Sequence, residues 1–111
     1  MERRELKQGD IVKLNLDPIE GHEQAGYRPV LIVSNNECNK VCGGVVKVVP
    51  ITTNSKDFPL HLEIPEGLNI HGKLEIEHER SIDIVARGYR YFCSVPEDFM
   101  NKVINRIKLT Y

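Results

Sequence analysis

The chain has 111 residues, 41% of them hydrophobic and 28% charged, which suits one domain over residues 1–111 with a single core. A formal net charge of −1 excludes a dominant, sequence-independent grip on duplex DNA, which needs a strongly basic surface, but it permits a local basic groove. The longest apolar runs, Val30–Val33 and Val45–Val46, are too short to cross a bilayer and residues 1–5 lead into no apolar leader, so the expected compartment is the cytoplasm, without membrane contact.

The apolar pattern is mostly short and strand-like. Val12, Leu14 and Leu16 alternate with Lys13 and Asn15, as in a half-buried strand. Pro29 to Val33 is a continuous run, which predicts a strand buried on both faces. A short helix is expected from about Asn35 to Lys40. Cys38, Cys42 and Cys93 form no C-x-x-C pair and read as free thiols. Val45 to Ile51 repeats the buried-strand pattern, with Lys47 as its polar break. Leu60, Leu62 and Ile64 then alternate with polar residues, as do Leu74 and Ile76, and Tyr89–Cys93 makes a sixth run. Asp17-Pro18, Gly43-Gly44, Pro65-Glu66-Gly67 and His71-Gly72 supply turns between them. Such spacing predicts a small barrel or strongly curled sheet.

The chain's end changes period. Met100, Val103, Ile104 and Ile107 recur at helical spacing. Ser94-Val95-Pro96-Glu97 fits a capping box just before them. An amphipathic helix of about three turns, laid on the barrel, is the expectation. No repeat, low-complexity tract or linker interrupts the chain.

Several familiar chemistries fail on spacing. Gly21 to Gly26 has the glycines of a P-loop, but Tyr27-Arg28 follow where a lysine and a hydroxyl are needed. His78-Glu79 opens like a zinc-protease helix, but Ile82 occupies the second histidine's position and the segment reads as strand. His22, His61, His71 and His78 lack ligand spacing with each other or with the cysteines, so no metal site is expected. No G-x-S-x-G appears.

Three segments remain. The glycine-bounded loop Gly21-His22-Glu23-Gln24-Ala25-Gly26-Tyr27-Arg28 runs into a buried strand through Pro29, which biases Arg28 toward extended geometry. Arg28 there is either a phosphate-facing cation or a rim arginine paired to an acid. Thr52-Thr53-Asn54-Ser55-Lys56 closes another buried strand with donors that suit phosphate and sugar, or that simply bond their own turn. Glu75 to Asp83, followed by Arg87-Gly88, places acids, His78 and Arg80 at a strand end, which is also how a solvated strand face looks. Arg80, Arg87 and Arg90 fall within eleven positions and form the local basic concentration.

These segments, in this order, resemble the MazF/PemK family of toxin endoribonucleases. The match includes Gly9-Asp10-Ile11-Val12, Gly21 to Pro29, Ser34-Asn35, Pro50-Ile51-Thr52-Thr53, Phe58-Pro59, Arg80-Ser81-Ile82-Asp83, Ala86-Arg87-Gly88 and Val95-Pro96-Glu97. It runs from about Gly9 to the terminal helix. The resemblance implies a mainly β, SH3-like barrel of the CcdB/MazF type with a C-terminal amphipathic helix. It also implies a homodimer that cuts single-stranded RNA without cofactor or metal, leaving 2′,3′-cyclic phosphate and 5′-hydroxyl ends, and a cognate antitoxin with an acidic C-terminal segment.

The family's catalytic arginine falls on Arg28 and its threonine on Thr52. Glu23, Gln24, Thr53, Lys56, Glu77 and His78 would line the RNA path, joined by Arg80 and Arg87 of the basic cluster. The chemistry is coherent. The RNA's own 2′-hydroxyl is the nucleophile, already held near phosphorus. A guanidinium fork suits the phosphate, and the threonine hydroxyl donates one more bond. Arginine makes a poor general base, so Arg28 is assigned to charge stabilisation and to protonating the leaving oxygen. Many family members carry glutamine where His78 stands. A histidine titrates near neutrality, so it could read a base, fill space or act as general base. Two rivals share the barrel: a CcdB-like gyrase poison, which needs no phosphate-clasping pair, and a noncatalytic RNA-binding barrel.

Overall fold

Short apolar runs fold as strands here because each finds a partner that buries its side chains. The computed structural model describes residues 6–15, 28–53 and 60–111. They form β1 (Asp10–Leu14), β2 (Arg28–Ile32), α1 (Asn36–Val41), β3 (Val45–Thr52), β4 (His61–Glu63), β5 (Lys73–Glu75), a 3-10 turn (Ile76–His78), β6 (Arg80–Asp83), α2 (Ile84–Arg87), β7 (Arg90–Ser94) and α3 (Glu97–Lys108). The strands make one seven-stranded sheet in the order β4-β5-β3-β2-β1-β7, with β6 also on β3. Every described pairing is antiparallel. The long strand β3 serves two partners: Val45–Val48 pair with β6, and Ile51 and Thr52 pair with β5.

Both sheet faces are covered, which is why β2 and β3 read as continuous apolar runs rather than alternating ones. On one face Ile11, Leu31, Val33, Val49, Ile51 and Leu74 pack with Phe99, Met100, Val103 and Ile107 of α3. On the other, Val12, Leu14, Val30, Ile32, Val46, Val48, Ile82 and Ile84 form a second cluster, with Leu6 and Tyr89 against it. Burying each large apolar side chain contributes roughly 1.5–3 kcal/mol, so α3 is held mainly by its four inward residues. The expected mainly β architecture with a terminal amphipathic helix is therefore present.

Three local expectations are corrected. The capping box at Ser94–Glu97 does not form: Pro96 is the N-cap of α3, without a side-chain bond. Ser94 Oγ instead donates to Asp10 Oδ1 at 2.7 Å, a long-range bond across the β1–β7 pair. The segment at His78-Glu79 is not strand: His78 closes the 3-10 turn, and β6 begins at Arg80. Neither β6 nor the one-turn α2 was expected as a separate element. In α2, Asp83 accepts from Ala86 N at 3.1 Å and Gly88 ends the turn at φ 76.

Asp10 is only 2% exposed yet fully employed. Its second carboxylate oxygen accepts from Lys7 N at 2.9 Å. Beside it, Gly9 at φ 97 donates to Ile32 O and accepts from Val95 N, so the Gly9-Asp10 corner joins β1, β2 and the entry to α3. Asn35 caps α1 by accepting from Cys38 N at 2.8 Å, and buried Ser34 Oγ accepts from Lys47 N at 3.1 Å. The Ser34-Asn35 pair is thus structural.

Candidate functional site

Register decides which polar residues meet, because residues directly opposite in an antiparallel pair share a face and stand roughly 4.5–5.5 Å apart at Cβ. Leu14 pairs with Arg28, and Val30 pairs with Pro50. That second register ends at Val30 and Pro50, and Arg28 and Thr52 each lie two residues further along, at the ends of β2 and β3. Thr52 pairs in turn with Lys73, and Lys73 with Glu63. Thr52, Lys73 and Glu63 therefore stand in one row on β3, β5 and β4, while Leu14 stands beside Arg28 on β1 and β2. Behind them Val12 pairs with Val30 and Val30 with Pro50, and on the far strands His61 pairs with Glu75.

Arg28 and Thr52 thus close two adjacent buried strands on the same face. Arg28 is exposed and Thr52 half-buried. Their strands are anchored by core residues directly behind them, Val30 and Ile51, so the backbone beneath the pair is rigid while the side chains face outward. A guanidinium and a hydroxyl so placed can grip a tetrahedral oxyanion from two sides.

The other expected residues divide. Thr53 follows Thr52 and is exposed. Arg80 pairs with Val48 and so faces the same side as Thr52, one strand over. Arg87 is half-buried, and its Nη1 donates to Asn15 O at 2.9 Å, just past Leu14, the strand partner of Arg28. That bond fixes Arg87 at the Arg28 end of the sheet. Glu77 and His78 lie on the 3-10 turn, with His78 Nε2 3.6 Å from Glu77 Oε2. Glu23, Gln24 and Lys56, like the Gly21–Gly26 loop, lie outside the described residues.

Lys73, His61 and Glu75 were not anticipated as site residues. Locally they look like the polar half of two alternating strands. Only the pairing of β3, β5 and β4 sets Lys73 opposite Thr52 and His61 opposite Glu75, and pairing leaves no mark in the local sequence.

Glu77 has a specific partner. His61 Nε2 donates to Glu77 Oε2 at 2.9 Å. Burial pushes the Glu77 carboxyl up, but the His61 bond, a bond from its own backbone and the positive character of His61 and His78 outweigh it, leaving Glu77 below the usual 4.5. A carboxyl depressed in the folded state stabilises the fold above its unfolded value, and that contribution is lost as pH falls through the folded value. Acid titration of stability should therefore show a loss below about pH 4.5 that shrinks in His61→Gln. Equal acid slopes for the two proteins in urea melts at stepped pH would disprove the coupling.

Among the described residues no helix is long and apolar enough to cross a membrane. The family of PemK-like, MazF-like toxins of type II toxin–antitoxin systems matches residues 7–111. The chain is 36% identical over 110 residues to the endoribonuclease PemK of Escherichia coli, covering 95% of this chain and 81% of that protein. It is also 36% identical over 116 residues to the endoribonuclease toxin ChpB of Escherichia coli K12, covering 97% and 96%. Among solved structures, MazF in a MazE–MazF complex from Deinococcus radiodurans superposes with a TM-score of 0.86 at 30% identity, covering 97% of this chain and 96% of that one. Fold, motif order and sequence converge: the chain belongs to the PemK-like, MazF-like toxin family of type II toxin–antitoxin systems.

Proposed function

We propose that this endoribonuclease toxin cuts single-stranded RNA with Arg28 and Thr52, without a metal, and leaves a 2′,3′-cyclic phosphate and a 5′-hydroxyl. What supports the reading is the placement of Arg28 and Thr52 at the ends of neighbouring strands, each two residues beyond the Val30–Pro50 pair. The RNA 2′-oxygen attacks the adjacent phosphorus as its proton passes to water, and the P–O5′ bond breaks; water returns that proton to Arg28 once the departing oxygen has taken one. Negative charge grows on the non-bridging oxygens as the bond breaks. The Arg28 fork holds those oxygens and Thr52 Oγ donates to one of them, stabilisation that exists before the reaction begins. Arg28 also protonates the departing 5′-oxygen. These groups supply the positive field for which other nucleases recruit a cation.

Around this pair, Glu23, Gln24, Thr53, Lys56, Glu77, His78, Arg80 and Arg87 form the RNA path. Polar side chains on loops and strand ends suit splayed single-stranded bases, whose edges are free to be read. Residues 1–111 act as a single toxin domain in the cytoplasm. The functional unit is a homodimer, and an antitoxin with an acidic C-terminal segment occupies the RNA groove. The MazE–MazF complexes of Deinococcus radiodurans support the antitoxin assignment. An acidic segment complements the arginines at this end of the sheet.

Purified protein in EDTA should cut an unstructured RNA into fragments bearing 5′-hydroxyl ends, and Thr52→Ala should lower kcat about 100-fold, the scale of one preorganised donor. Intact RNA with gyrase inhibited would replace this reading by a CcdB-like one. Cutting that EDTA abolishes would end the metal-free chemistry.

A further inference from the structure

We infer that His61, Glu75 and Glu77 form a binding site for one divalent ion of the zinc class, separate from the Arg28–Thr52 pair. The three residues each offer one ligand atom, and those atoms all lie within 4.8 Å of one another. They come from three successive elements: His61 and Glu75 are direct cross-strand partners on β4 and β5, and Glu77 follows on the 3-10 turn.

The ligands are held before an ion arrives. The His61 side chain is only 9% exposed, and its Nε2 already points at Glu77 Oε2, 2.9 Å away. A tetrahedral ion with ligand bonds of about 2.0–2.2 Å holds its ligand atoms roughly 3.3 Å apart, so seating it needs a shift on the order of 1 Å. The Glu77 side chain, 27% exposed, leaves the cluster open to solvent, which supplies both the ion's entry and a water for the fourth position. Charge favours the ion as well. Two carboxylates crowd beside an imidazole, and a dication neutralises both, whereas His61 offers a charge only when protonated.

The donor set selects the ion. One imidazole nitrogen with two carboxylate oxygens is a borderline set that suits zinc, while magnesium and calcium take oxygen-only shells. Spacing along the chain conceals the site, because its histidine pairs with acids fourteen and sixteen residues away rather than with another histidine or a cysteine. Bound there, the ion pins β4 to β5 and to the turn that leads into β6, and so stabilises the folded chain.

The test loads the full chain with zinc, manganese or magnesium chloride, desalts it and counts metal by mass spectrometry. One zinc per chain is expected to remain, with no magnesium, and the melting midpoint should rise by roughly 5 °C at saturating free zinc. Glu75→Gln and His61→Gln should each retain at least tenfold less zinc at the same free concentration, and Cys38→Ser with Cys42→Ser should retain all of it. X-ray absorption on the zinc-loaded wild type, which needs no variant to fold, should show nitrogen and oxygen neighbours only. No zinc retained by wild type, a sulfur shell at about 2.3 Å, or retention lost only in the cysteine variant would overturn the assignment. These measurements use no RNA, so they stand apart from the nuclease reading.

Discussion

Arg28→Ala should lower kcat for RNA cleavage by about 100- to 1000-fold while leaving the melting midpoint nearly unchanged. The stability half follows from position. Arg28 is exposed at the first residue of β2, and among the described residues no ion pair engages it. Removing it leaves no buried partner unsatisfied. The catalytic half rests on the proposed mechanism, in which Arg28 holds charge that is greatest in the transition state. Arg28→Lys separates fork from charge. A lysine keeps the charge but loses the parallel pair of donors, so it should recover only a small part of the lost rate. Single-turnover cleavage under saturating protein isolates the chemical step from binding. A wild-type rate in Arg28→Ala would remove this residue from the mechanism, and full rescue by lysine would reduce its role to a point charge.

Gly72→Ala should damage both stability and cleavage, although Gly72 carries no chemistry. Its φ is +142, which L side chains rarely adopt, and a Cβ there would stand 2.6 Å from Thr52 O and 2.9 Å from Ile51 Cγ2. The first neighbour is backbone and cannot swing away. Gly72 O also accepts from Ile64 N at 2.9 Å, so the loop itself cannot retreat freely. Backbone strain of about 1–3 kcal/mol and a forced shift of similar cost should combine to a loss of roughly 2–5 kcal/mol in urea unfolding. What gives way is the end of β3, shifting Thr52 from its place opposite Lys73. A displacement near 1 Å at a reacting pair can cost about 100-fold in rate. The two effects separate if cleavage is measured at low temperature, where the variant remains folded by circular dichroism. Normal cutting by a folded Gly72→Ala protein would show that the close approach does not set Thr52's place.

Both expectations turn on a feature that no local pattern carries. Gly72 reads in the sequence only as part of a His71-Gly72 turn, and its contact with Thr52 arises from the β3–β5 pairing. The same holds for Lys73 and His61, whose alternation with apolar neighbours marks them as polar strand residues without saying what they face. The sequence does not mark β6 as separate from the strand before it, because Ile82 is its one buried residue, too little to make a period. α2 is a single turn, below the length at which helical periodicity can be seen. The capping box failed for a tertiary reason: the Ser94 hydroxyl that would have capped α3 is taken by Asp10, 84 residues away.

The amino-acid order by itself determined the mainly β class, the runs that became β1, β2 and β3, and the terminal helix with its buried Met100, Val103 and Ile107, whereas Arg28 and Thr52 stood out only through the family resemblance. These are properties of local periodicity and short motifs, which the solvent reads one segment at a time through the burial of apolar faces. Which side chains share a face was decided only in the tertiary structure. Antiparallel register joins positions far apart in sequence, and a slip of one residue would send each strand's side chains to the opposite side. The pairing of Thr52 with Lys73, the His61–Glu75–Glu77 cluster and the glycine wedged against Thr52 exist because that register is held by the two cores on either side of the sheet.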